Sequence, residues 1–134
     1  MRKINKIIIH CTATVAGKDY SVATIRRWHK QRGWSDIGYH YLVRLDGTTE
    51  KGRSIEHMGA HTRGQNGHSI GIAYVGGVDK ELNPKDTRNF RQKAAMRQLV
   101  QDLWRQFPHA TLHGHNEFSN KACPSFKVRA EDFK

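Results

Sequence analysis

Lys6-Ile7-Ile8-Ile9-His10 decides the fold, because three consecutive β-branched residues predict a buried strand of a central sheet. Outward from it, apolar residues at helical spacing predict one helix over residues 22–32 and a longer one over residues 84–107. The apolar face of the longer helix is predicted to consist of Phe90, Ala94, Met96 or Arg97, Leu99, Val100, Leu103 and Trp104. Further strands are predicted over residues 39–45, 48–51, 69–75 and 110–112. Strands interleaved with helices indicate an α/β fold, a single domain over residues 1–134 with a central mixed sheet flanked by helices.

The composition is that of a globular protein with a strongly basic surface. Of the 134 residues, 37% are hydrophobic and 26% are charged, and the formal net charge is +11. Such a charge attracts polyanions, either nucleic acid or an anionic cell wall, and does not by itself choose between them. No apolar stretch approaches the roughly 18 residues of a membrane span, and the N-terminus lacks the apolar core of a signal peptide. We therefore expect a protein that is cytoplasmic when made and does not cross a membrane.

Histidine and cysteine side chains cluster where the predicted strands end. His10 ends the first strand, and His113 and His115 follow the last one, two residues apart. Cys123 lies in the same loop, and two imidazoles with one thiolate are ligands that suit zinc. A histidine at a strand end is also a common structural residue, and a disulfide between Cys11 and Cys123 is an alternative use of the thiols. Spacing alone does not say which of the two later histidines would bind a metal.

A set of motifs in the chain resembles a known enzyme family. The motifs are I-I-I-H-C-T-A-T at 7–14, I-R-R-W-H-K-Q-R-G-W at 25–34, D-I-G-Y-H-Y-L-V-R-L-D-G-T at 36–48, N-G-H-S-I-G-I at 66–72, V-G-G at 75–77 and H-N-E-F-S-N-K-A-C-P-S-F at 115–126. They are similar, in order and over almost the whole chain, to those of N-acetylmuramoyl-L-alanine amidases of the phage-lysozyme type. This is the amidase-2 family, which also includes the peptidoglycan recognition proteins.

The resemblance implies a role for each of five residues. The zinc ligands of the family fall on His10, His115 and Cys123, and its catalytic tyrosine and lysine fall on Tyr39 and Lys121. Zinc polarises a carbonyl and activates water, which an amide needs because it is a poor electrophile. The lysine would stabilise the oxyanion, and the tyrosine would position the water or relay a proton. All five positions are intact, so the resemblance implies an active enzyme with Zn²⁺ as cofactor.

The polar segment over residues 53–68 is predicted to be a surface loop, and in enzymes of this type the region borders the substrate groove. His61 and His68 are therefore candidate substrate contacts, as is Trp34, which follows the glycine that ends the first helix. Under the same resemblance His113 is a neighbour of the metal site and not a ligand.

Other conspicuous residues have structural interpretations. Cys11 is expected to be a small buried thiol, Trp28 and Trp104 to belong to the core, His29 to be a helix-face residue, and His40 to be structural or to orient a ligand.

The sequence therefore predicts a zinc hydrolase that cleaves the amide bond between N-acetylmuramic acid and L-alanine in bacterial peptidoglycan. A phage or prophage endolysin, which acts on the wall after release, fits this prediction. The alternatives are a binding module that holds peptidoglycan without cutting it, and an inhibitor of RNA polymerase, a role that the resemblance also implies for phage members. A nucleic-acid partner is disfavoured, because the basic residues are scattered and not interleaved with aromatics. We expect a monomer.

Overall fold

Strand β1 (Lys6–Cys11) lies inside a mixed sheet, in the computed structural model that describes residues 2–134. It runs parallel to β5 (Ser69–Tyr74) on one side and to β7 (Thr111–Gly114) on the other. Beyond β5 come β3 (Tyr41–Val43), which is parallel to it, and the antiparallel edge strand β4 (Thr49–Lys51). The order β4-β3-β5-β1-β7 places the carboxyl ends of β1 and β7 at the same edge. The predicted mixed sheet is confirmed, with the outer strands shifted by one to two residues.

Two helices cover opposite faces of this sheet. Alternate residues of β5 point to opposite sides, so Ile70 and Ile72 pack with Met96 and Val100 of helix α2 (Phe90–Gln106). The other face packs against helix α1 (Val22–Gln31), and the buried side chains there are Val22, Ile25, Ile37, Leu42, Ala73 and Val75. The predicted α/β layering, with helices flanking a central sheet, is therefore confirmed.

Helix α2 begins at Phe90, so the predicted start at residue 84 is wrong. Pro84 instead forms an antiparallel bridge with Val78, the last residue of β6 (Gly77–Val78), and β6 runs parallel to β2 (Thr14–Val15). The helix starts where the side chain of Asn89 accepts a hydrogen bond from the Gln92 backbone N–H, while Gln92 reaches back to the Asn89 N–H. This reciprocal cap satisfies two backbone donors that the first turn leaves unpaired.

The predicted apolar face of this helix is also partly wrong. Phe90 is 77% exposed and Ala94 is exposed, so neither belongs to the buried face of the helix. The residue that is buried at the start of the helix is the polar Gln92, whose Nε2 donates a hydrogen bond to the Val75 carbonyl oxygen at 2.9 Å. Among residues 2–134, no helix is long and apolar enough to cross a membrane.

His40 joins the sheet to the loop that follows β4. Its Nδ1 accepts a hydrogen bond from the Gly71 N–H at 3.0 Å, and its Nε2 lies 2.8 Å from the carbonyl oxygen of His57. Burial lowers the pKa of His40 to about 4, so the folded protein keeps the ring neutral in mildly acidic solution. The structural role predicted for His40 agrees with these contacts.

We predict that acid destabilises the protein through His40. The pKa of His40 is about 6.5 in the unfolded chain and about 4 in the folded protein. As pH falls from 7 towards 4, His40 therefore becomes protonated in the unfolded chain while it stays neutral in the folded protein, which favours unfolding. Between pH 7 and pH 5 this one group should cost about 2 kcal/mol of unfolding free energy. Urea titrations across this range should show a smaller pH slope for His40→Phe than for the unmodified protein, and equal slopes would contradict the prediction.

Candidate metal centre and active site

Three predicted ligands meet at the carboxyl ends of β1 and β7. His10 lies near the end of β1, His115 directly follows β7, and Cys123 lies in the loop beyond. Because the two strands are neighbours and parallel, His10 lies close to His115 and Cys123, which are 105 or more positions away from it in the chain. One ligand atom from each residue lies within 4.8 Å of the other two, and the Cys123 Sγ is 3.7 Å from the His10 Nδ1. The geometry groups His115, and not His113, with His10 and Cys123.

These side chains have the chemistry of a zinc site. Among residues 2–134, the Nδ1 of His115 is the buried side-chain polar atom that has no hydrogen-bond partner. A buried nitrogen without a partner is costly unless it binds something, and a metal ion supplies that partner. Two imidazole nitrogens and one sulfur are ligands that zinc prefers, with a fourth position left for water or substrate. The residues therefore fit the metal.

The protonation of His10 already suits a metal ligand, whereas Cys123 would have to lose its proton to bind a metal. Burial and the neighbouring His61 hold the pKa of His10 well below its usual range, so its ring is neutral, as a metal ligand must be. The adjacent Cys11 thiol and burial raise the pKa of Cys123, so the thiolate needs a positive charge beside it. The backbone N–H of Cys11 already donates to the Cys123 Sγ at 3.2 Å, and both cysteines are free thiols, with Cys11 buried as predicted.

A cavity of about 270 Å³ is lined by the three predicted ligands and by both predicted catalytic residues. The ring centroid of Tyr39 lies 5.3 Å from that of His10, and Lys121 lines the same cavity from the exposed side. Burial, with a smaller effect from Cys123, raises the pKa of Tyr39, so the phenol keeps its proton at neutral pH. The other lining residues are Cys11, Thr12, Ala13, His29, Arg32, Trp34, Ala60 and His61.

His29 is a residue that the sequence interpretation underrated. It lies in the last turn of α1 and lines the cavity, and its Nδ1 accepts a hydrogen bond from the Gly38 N–H at 2.9 Å. Its ring lies 5.5 Å from that of Tyr39 and 4.6 Å from that of Trp34, centroid to centroid. Burial lowers the pKa of His29 to about 4, which keeps Nδ1 free to accept. His29 therefore supports the backbone that carries Tyr39.

The three candidate substrate contacts lie in different surroundings. Trp34 is 37% exposed and lines the cavity, so a bound substrate can reach it. His61 is buried beneath His10, with its Nδ1 2.8 Å from the His10 Nε2. His68 is exposed and does not line this cavity; its Nδ1 lies 3.1 Å from the carbonyl oxygen of Lys3. Trp34 remains a candidate for substrate contact, and the surroundings of the two histidines do not favour that role.

His113 has partners of its own outside the metal cluster. Its Nδ1 lies 2.9 Å from Glu117 Oε1 and its Nε2 lies 2.7 Å from Thr111 Oγ1. The second oxygen of Glu117 accepts a hydrogen bond from the Gly114 N–H, at the start of the turn that carries His115. This network stabilises the backbone on both sides of His115.

Comparison with known proteins identifies the family. The family model described as N-acetylmuramoyl-L-alanine amidase matches residues 1–126 of the chain. The chain belongs to this amidase family. It is 41% identical over 128 residues to the endolysin of Klebsiella phage KP32, covering 96% of this chain and 85% of the relative. It is also 41% identical over 125 residues to the endolysin of Escherichia phage T7, covering 92% and 82%.

Solved structures of family members have the same fold. N-acetylmuramoyl-L-alanine amidase LysC from Clostridium intestinale URNW superposes with a TM-score of 0.84 at 30% identity, covering 99% of this chain and 84% of that one. The bumblebee peptidoglycan recognition protein SA superposes with a TM-score of 0.81 at 26% identity, covering 98% and 81%. The resemblance drawn from the motifs, to both amidases and peptidoglycan recognition proteins, is confirmed.

Proposed function

We propose that this chain, as one domain over residues 1–134, is a zinc-dependent amidase that cleaves the bond between N-acetylmuramic acid and L-alanine in peptidoglycan. The observation that carries the proposal is the convergence of His10, His115 and Cys123 in one cavity with Tyr39 and Lys121. Family membership supplies the reaction class, and the relatives that are phage endolysins suggest a lytic role on the cell wall.

His10, His115 and Cys123 would hold the metal in this proposal. Bound there, zinc would supply Lewis-acid chemistry, which is polarisation of the scissile carbonyl and activation of water. The protein's part is to deliver two neutral imidazoles and one thiolate from a rigid sheet edge, with the remaining side facing the cavity.

Lys121 and Tyr39 would act on the substrate itself. Lys121, which lines the cavity, would stabilise the negative charge that develops on the carbonyl oxygen during attack. The phenol of Tyr39 is protonated at neutral pH, so it can donate a hydrogen bond or a proton to the departing amine of L-alanine. Trp34 and Arg32 form the wall beside them, which we assign to binding of the sugar or stem peptide.

Removal of zinc tests the proposal without altering the chain. We expect a strong chelator to abolish the solubilisation of purified peptidoglycan, and stoichiometric Zn²⁺ to restore it, because the proposed chemistry depends on the metal. Mg²⁺, which prefers oxygen ligands, should not restore activity and serves as the control. Full activity after verified metal removal would contradict the zinc-dependent mechanism.

The non-catalytic alternative is not favoured. A binding module has no need for a complete ligand set, yet all three ligand residues and both candidate catalytic side chains line one cavity here. Inhibition of an RNA polymerase and the monomeric state remain predictions from the sequence alone.

A further inference from the structure

His10 meets a second histidine on the side of its ring that faces away from the proposed metal. Its Nδ1 points towards Cys123, and its Nε2 lies 2.8 Å from the Nδ1 of His61. Both rings are buried, and their centroids are 4.8 Å apart in an edge-to-face arrangement. Fifty-one residues separate the two histidines in the sequence, so this contact is a product of the fold.

The positions of the hydrogens follow from the requirement that Nδ1 of His10 binds the metal. A neutral imidazole that coordinates through Nδ1 carries its hydrogen on Nε2 and must donate it. The Nδ1 of His61 is then the acceptor, so the hydrogen of His61 lies on its Nε2, which is 3.3 Å from Ser69 Oγ. The Ser69 hydroxyl in turn donates to the carbonyl oxygen of Gln65 at 2.7 Å. Every hydrogen in this chain of contacts has an acceptor.

The surrounding backbone holds the His61 ring in this orientation. The Asn66 Oδ1 accepts hydrogen bonds from the backbone N–H groups of His61 and Thr62, at 3.0 and 2.9 Å. On the other side the ring packs flat against Gly71 of β5, where any side chain would overlap it. A ring fixed in this way can dictate the orientation of the ring it contacts.

Thr62 is the other group that could accept from His10. Its Oγ1 lies 3.2 Å from the His10 Nε2 and 3.0 Å from the His61 Nδ1, so the three groups form a closed cluster. The shorter contact is the one to His61. Because the His10 Nε2 carries a hydrogen, the Thr62 hydroxyl can only accept from that nitrogen, and its own hydrogen can be donated to the His61 Nδ1.

We propose that His61 is a positioning residue that accepts the Nε2 hydrogen of His10, and so fixes the ring and the tautomer that present Nδ1 to zinc. A metal-bound histidine usually donates to a carboxylate, a backbone carbonyl or water, and here a neutral imidazole takes that place. The inference rests on the proposed zinc site, and it replaces the substrate contact that the sequence suggested for His61.

Zinc affinity measures this role without any substrate. Competition with a chromophoric chelator should show that His61→Phe, which keeps a ring but loses the acceptor, binds zinc about 10- to 100-fold more weakly. His61→Asn, whose side-chain oxygen can accept at the position of Nδ1, should recover much of the loss. His68→Phe removes an exposed histidine outside the cavity and should bind zinc with unchanged affinity.

Two outcomes would overturn the role. One is a His61→Phe protein with the zinc affinity of the unmodified protein, and the other is an Asn variant as weak as the Phe variant. Thermal unfolding of the metal-free variants separates a positioning role from a folding defect, since the proposal requires a loss of affinity in protein that remains folded. The Thr62→Val variant tests the rival acceptor. If it binds zinc about 10- to 100-fold more weakly while His61→Phe binds zinc normally, then Thr62 is the acceptor and the proposal is wrong.

The hydrogen bond itself can be observed by NMR. In ¹⁵N-labelled, zinc-loaded protein we expect a scalar coupling between the His10 Nε2 and the His61 Nδ1, with the hydrogen on His10. A hydrogen found on the His61 Nδ1 would overturn the assignment. Both readouts are independent of peptidoglycan, so a protein that shows them and fails to cleave the wall would refute only the proposed function.

Discussion

Replacement of Cys123 by serine is expected to abolish amidase activity and to strip the protein of zinc. The hydroxyl of serine is a far poorer zinc ligand than a thiolate, and only two histidines would remain. Loss of a group that merely orients a ligand costs about 10- to 100-fold in affinity or activity, so loss of a ligand should cost more than about 100-fold. Metal content by mass spectrometry and rates on purified peptidoglycan measure both effects.

Cys11→Ala is the matched control for this change. It removes the thiol next to the site and leaves the backbone N–H that donates to the Cys123 Sγ. We expect this variant to retain one zinc per chain, with some loss of thermal stability because Cys11 is buried. If Cys123→Ser retains zinc and activity while Cys11→Ala loses them, the ligand assignment is wrong.

Replacement of Lys121 by methionine is expected to lower kcat by about 10²- to 10³-fold, the usual cost of one lost oxyanion-stabilising group. Methionine keeps the length of the side chain and removes its charge. Because Lys121 is exposed at the cavity and is not in the ligand cluster, zinc content and thermal stability should not change. Steady-state kinetics on a soluble muropeptide separate the effect on kcat from that on KM.

Lys127→Met provides the comparison for Lys121. Lys127 is also exposed and lies six residues further along the chain, outside the cavity lining. The Lys127→Met variant loses one positive charge from the net charge of +11, as Lys121→Met does. The two variants therefore have the same general electrostatic attraction to the wall. Equal losses in the two variants would mean that Lys121 acts through overall charge and not at the reacting carbonyl.

The elements of the fold that the sequence predicted correctly are those set by the local pattern of apolar residues. The run of three isoleucines predicted the buried strand, and the order of strands and helices predicted the mixed sheet with flanking helices. The start of α2 could not be read in this way, because two start signals compete. Pro84 suits a first helical turn, but it is bridged to Val78, and the Lys85 N–H donates to the Gly77 carbonyl. The helix therefore starts later, at the Asn89–Gln92 cap.

The sequence named His61 as a candidate substrate contact, and its contact with His10 escaped prediction because it depends on the tertiary fold. His61 lies in an irregular loop without periodicity, and its neighbour His10 is on a strand that is distant in sequence. His29 has helical spacing, but the residue at the end of α1 that faces the cavity is decided by how the helix packs on the sheet. A polar loop in a sequence indicates a surface, and here one of its side chains turns inward to a buried cluster.

The central claim is that the chain cleaves one particular amide bond. The most direct measurement is mass spectrometry of the products released from purified peptidoglycan by the zinc-loaded protein, beside the Cys123→Ser variant. We predict free stem peptides that begin with L-alanine and glycan strands of undiminished length, and no release of stem peptides by the variant. Shortened glycan strands, or cleavage within the stem peptide, would contradict the account.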